Sequence, residues 1–136
     1  MKDKVNEILI SEIKLLNILQ ENLEIQRGCA KNNQLFELDE ISVEISKICK
    51  KIAEIEIKLR EILGQKSLKD FVMENKNYDE LYGSYIFLVS QVERLSLIKN
   101  DNQFIINKSL NFINKLLFSI NNNSKKSNVY TRKMSH

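Results

Sequence analysis

The chain has 136 residues, 43% of them hydrophobic, with a formal net charge of +3, no proline and three glycines. That is enough for one domain and holds nothing that forces a helix to break, so the expected class is all-α: an elongated antiparallel helical hairpin or three-helix, coiled-coil-like bundle with a long C-terminal helix. Divided along the chain, the charge excludes a basic nucleic-acid-binding body: Lys125, Lys126, Arg132 and Lys133 put +4 in residues 124–136, which leaves −1 for everything before.

A first helix is expected from about Asp3 to Gln26 or slightly beyond. Val5, Leu9, Ile13, Leu16, Leu19 and Leu23 recur one or two turns apart, and Ile8, Leu15 and Ile18 broaden the stripe enough to serve two neighbours. Gly28 either caps this helix or lies within one more turn, and Lys31-Asn32-Asn33 forms the first turn in either case.

The second helix, about residues 35–63, has the clearest periodicity. Ile41, Ile45, Ile48, Ile52, Ile55, Leu59 and Ile62 alternate in steps of four and three, which is a heptad seam. Its flanks carry a solvated charged face, and Gly64 stands where a C-terminal glycine belongs. Between residues 65 and 77, Ser67 with Asp70 three positions on is a capping pattern, and Leu68, Phe71 and Val72 predict a short helix pinned to the bundle.

The long last helix is expected over about residues 78–120, with Asn77 and Glu80 marking its start. Gly83 costs about 1 kcal/mol inside a helix, so the start can also slip to Ser84. Leu81, Tyr85, Leu88, Val92 and Leu95 form a narrow seam, Lys99-Asn100-Asp101-Asn102-Gln103 interrupts it, and Asn121-Asn122-Asn123-Ser124 ends regular structure. The domain then covers residues 1–121, with a flexible basic tail over residues 122–136. Between the two polar runs, Phe104, Ile105, Ile106, Leu110, Phe112, Ile113, Leu116, Leu117 and Ile120 fill an arc far wider than one seam needs. Either this face packs on the first two helices or it is exposed and demands a partner.

Catalytic chemistry has little to work with. The single histidine is His136, and Cys29 and Cys49 lack metal-ligand spacing, so no catalytic residue, metal site or cofactor is expected. Cys49, beside the heptad seam, reads as a small apolar residue. No apolar run approaches a membrane span and no secretory leader is recognisable, so a cytoplasmic location without membrane insertion is expected.

The stretch from Asn102 through Ile106 to Ser109-Leu110-Asn111-Phe112-Ile113-Asn114, preceded by a long amphipathic hairpin and followed by Val129-Tyr130-Thr131, resembles the FlgN family of flagellar export chaperones. Asn102 fits the family's second asparagine, Ile105 and Ile106 its apolar pair, and Ser109, Leu110, Phe112, Ile113 and Asn114 the run that follows. Lys99 stands where the first asparagine belongs, and no glycine follows Tyr130. The resemblance implies a type III export chaperone that binds the C-terminal helical segments of the hook-associated proteins FlgK and FlgL and brings them to the FlhA export gate. Under that reading the wide face from Phe104 to Ile120 holds the client, Tyr130 contacts the gate, and the chain is a monomer or weak homodimer. The rival of another class is a homodimeric coiled-coil structural or adaptor protein in which the heptad of Ile41 to Ile62 pairs with a second chain.

Overall fold

A computed structural model describes the backbone of residues 1–127 and the side chains of residues 1–120. Residues 128–136, with Tyr130, lie outside this description, while residues 122–127 of the expected tail belong to the last helix. Four helices and no strand occur among the described residues: α1 (Lys2–Lys31), α2 (Leu35–Leu63), α3 (Leu68–Glu74) and α4 (Asp79–Ser127).

The expected all-α architecture is what forms, and the boundaries follow local chemistry. Gly28 lies inside α1, and the helix stops only at the turn, where Asn33 takes φ 54° and the Gln34 amide donates to the Cys29 carbonyl at 2.9 Å. Asparagine is among the few side-chain-bearing residues that adopt this left-handed backbone cheaply. Gly64, at φ 66° and ψ −123°, ends α2. The Ser67 hydroxyl accepts from the Asp70 amide at 3.1 Å and caps α3, as its spacing predicts. α4 starts at Asp79, beside the expected start at about residue 78, with Gly83 inside the helix. Its end differs: it runs on to Ser127, straight through the asparagine run expected to end it. Asparagine is only a mildly poor helix former, at about 0.7 kcal/mol per residue against alanine, and with no glycine or proline there nothing stops the helix.

Directions and register are set by a few long-range hydrogen bonds. Along α1 and α4 the paired side chains are always 74 to 76 positions apart, at Asp3 with Tyr78, Asn17 with Gln91, Gln26 with Asn102 and Asn33 with Ser109. A constant offset means that the two helices run parallel. Gln26 with Ser42 across the intervening turn makes α2 antiparallel to α1. α1 is the central helix: both α2 and α4 pack along it, and α3 packs on α4.

The main core lies along these contacts. Val5, Leu9, Leu16 and Leu23 of α1 meet Leu59 of α2, Phe71 and Val72 of α3, and Leu81, Leu88 and Leu95 of α4. Each such side chain taken from water stabilises the fold by about 1.5–3 kcal/mol before chain entropy is counted. Ile45, Ile52 and Ile62 pack on the same core, and Ile48 is buried, so the heptad of α2 is occupied within the chain by α1. A smaller cluster, Cys29, Ala30 and Leu38 with Ile41, Ile105 and Ile106, closes the end at the α1–α2 turn. Cys49 is exposed and not a packing residue. The seam of α4 also differs from the apolar reading. Val92 is 49% exposed while Gln91 is buried, because the seven-residue repeat of α4 runs Leu81, Leu88, Leu95, Asn102, Ser109 and carries Gln91 three residues after Leu88.

Candidate functional site

Parallel register between helices of unequal length creates an overhang. α1 starts beside the beginning of α4 and is exhausted at Lys31, opposite residue 107 or so, while α4 continues to Ser127. The last tie is at Ser109, whose hydroxyl donates to the Asn33 side-chain oxygen in the α1–α2 turn at 2.5 Å. Beyond it residues 110–127 extend past the bundle by about 27 Å at 1.5 Å per residue.

The nine residues of the wide face divide at this point. Ile105 and Ile106 are half-buried against Cys29, Ala30 and Leu38. Phe104, Leu110, Phe112, Leu116, Leu117 and Ile120 are exposed, between 44% and 64%, and Ile113 is half-buried. Phe118 adds a further uncovered ring. Both alternatives raised by the sequence therefore hold in part: Ile105 and Ile106 pack on the bundle, and the remainder, apart from the half-buried Ile113, is uncovered. A cleft of about 370 Å³ lies at the junction, between Ala30, Lys31 and Asn33 on one side and Phe104, Ile105, Ser109 and Phe112 on the other. Lys108 caps its rim, with its ammonium 5.4 Å from the Phe104 ring centre.

Three polar residues hold α4 in the register that produces the overhang. The Gln91 amide donates to the Ile13 carbonyl at 3.1 Å and to Asn17 Oδ1 at 2.7 Å. The Asn102 amide donates to the Leu23 carbonyl at 2.6 Å and to Gln26 Oε1 at 3.0 Å. Ser109 is the third. Each net hydrogen bond contributes only about 0.5–1.5 kcal/mol, less than a well-packed leucine at the same seam position. Their value lies in selectivity, since a shift of one heptad breaks these pairings and sets leucine or solvent where a polar partner stands. Apolar periodicity misses these residues. The signal that finds them is the heptad phase of Leu81, Leu88 and Leu95 carried forward without regard to polarity.

Among the described residues no group of three or more His, Cys, Asp or Glu could hold a metal ion, and no helix is long and apolar enough to cross a membrane. What the fold defines is an elongated helical scaffold that presents apolar helix surface at one extremity, the kind of surface that helix-in-groove recognition uses. The family profile described as FlgN protein matches residues 1–136, and the chain belongs to the FlgN family. It is thus a flagellar export chaperone in the general sense, of a family that binds flagellar proteins and is not enzymatic. No curated protein and no solved structure matches the chain.

Proposed function

We propose that the overhang of α4 is the client-holding surface, and that the client is the C-terminal helical segment of a hook-associated protein of the FlgK or FlgL kind. The observation that supports this reading is the uncovered run Leu110, Phe112, Leu116, Leu117 and Ile120, at the one place where α4 has outlasted its partners. An amphipathic segment laid along it removes apolar surface of both molecules from water at about 25 cal/mol per Å² and keeps the client from associating with itself. Phe104, Ile105, Ile106 and Ile113 form the inner boundary of the surface. The bundle behind them is a rigid handle, because Gln91, Asn102 and Ser109 fix where the overhang begins. Delivery to an FlhA-like export gate, in the cytoplasm, with Tyr130 as the contact, completes the proposal.

Amide hydrogen exchange with and without a hook-associated protein's C-terminal segment tests the surface. Slowed exchange concentrated in residues 104–120 is the expected result. Protection confined to α1 and α2, with residues 104–120 unchanged, overturns it.

A further inference from the structure

At the opposite end of the bundle, α2 and α4 both lean on α1 and leave an open groove between them, of about 450 Å³. Its walls are apolar: Leu59 and Leu63 from α2, Tyr85, Leu88 and Val92 from α4. The α4 positions span about two turns, and Ser67 and Leu68 at the start of α3 also line the groove. Val92 stands 49% exposed on its wall.

The floor is anomalous. Glu12, from the middle of α1, is 95% buried, and its Oε1 has no hydrogen-bond partner. Burial, with the neighbouring Glu56 carboxylate of α2 adding to it, pushes the Glu12 carboxyl up to about 7. Glu56 is itself exposed, so a solvent-facing carboxylate stands beside a buried acid, and no ion pair to either is formed among the described residues; an uncompensated buried acid costs stability. Of the other charged side chains around the groove, Glu93 adds a third acid, Lys66 is paired with Glu74, and Arg60 lies exposed on the α2 wall.

We propose that this groove is a second docking surface, which takes about two turns of an amphipathic helix from another protein carrying a lysine or arginine on its apolar face, the cation seating against Glu12 and Glu56. The apolar walls supply affinity and the buried carboxyl supplies selection, because an apolar or acidic side chain at that position leaves Glu12 Oε1 without a donor. The site lies about 30 Å along α4 from Ser109 and is separate from the overhang, so a client held there leaves the groove free.

The test uses the full chain and two synthetic amphipathic helices that differ at one central position of the apolar face, lysine in one and norleucine in the other, with binding followed by methyl NMR. The lysine peptide is expected to bind at least tenfold more tightly, to shift the methyl signals of Leu59, Leu63 and Val92, and to lose its advantage in Glu12→Gln. Val92→Arg, which places a fixed cation in the groove, is expected to abolish binding while the circular dichroism spectrum stays unchanged. Equal binding of the two peptides, shifts confined to residues 110–120, or no binding at millimolar peptide overturns the proposal. So does a concentration-dependent shift of the groove methyls without peptide, which would make the occupant a second copy of this chain. Loss of the groove site leaves hydrogen exchange at residues 104–120 untouched, so the two readings fail separately.

Discussion

Ser109 donates a hydrogen bond to Asn33 at 2.5 Å, and that contact marks where the bundle ends and the overhang begins. On the near side, α4 is held by polar ties to α1 at the Asn17 and Gln26 side chains and the Ile13 and Leu23 carbonyls. On the far side, every described residue from 110 to 120 except Ile113 is exposed. The position of the candidate surface is therefore a matter of register, and register is a matter of three hydrogen-bonding side chains.

Removing one of these ties has a defined cost. Asn102→Ala deletes the bonds to Leu23 and Gln26 and leaves a small void at a 1% exposed position; a loss of about 1–3 kcal/mol in urea unfolding is expected. Asn102→Leu differs in kind. It gains apolar burial and loses the feature that penalises a slipped register, so stability should hold or rise while spin-label distances between α1 and α4 broaden.

Glu12 gives a pH dependence of definite sign. An acid held above its ordinary value of 4.5 in the folded state, here near 7, keeps a proton that the unfolded chain releases. Stability therefore falls as pH rises from about 4.5 to about 7, by on the order of 2–3 kcal/mol, and then levels off. Glu12→Gln should abolish that fall, equal the parent at pH 4 and exceed it at pH 8. Urea midpoints at the two pH values check this, and a parent profile that rises over the same range contradicts it.

The glycines divide by conformation. Gly64 takes φ 66° with ψ −123°, a backbone nearly closed to other residues, so Gly64→Ala should destabilise by about 1–3 kcal/mol even though a Cβ there would meet nothing within 4 Å. Gly28 and Gly83 lie within helices, and an added Cβ is equally free at both. Alanine at either should stabilise by about 0.5–1 kcal/mol. Thermal unfolding of the three variants should thus move in two directions.

Much of the fold is legible in the residues themselves. The heptad of Ile41 to Ile62, Gly64, and Ser67 with Asp70 each act locally, and each element they predict forms. The seam of α4 is read less well, because apolar periodicity selects Val92 where burial selects Gln91, and it treats Asn102 as an interruption where the structure buries it. Both arise from long-range pairing with α1, which leaves no mark in a local window. The end of α4 is misplaced for another reason: a run of weak helix formers lowers propensity without breaking a helix. For the wide face, composition shows a surplus of apolar residues, but only the parallel register shows which of them α1 reaches. Glu12 stays hidden because an acid on an amphipathic helix reads as solvated until α2 and α4 close around it.

The central claim is that the uncovered apolar residues of α4 hold the client. Calorimetric titration of a hook-associated protein's C-terminal segment into the parent chain, and into a Leu110→Asp, Leu117→Asp variant, tests it most directly. Both substituted side chains are exposed, so thermal stability should change little, by about 0.5 kcal/mol or less at each site. Affinity should fall at least tenfold while unfolding stays at the parent temperature. Unchanged affinity in a folded variant would contradict the account.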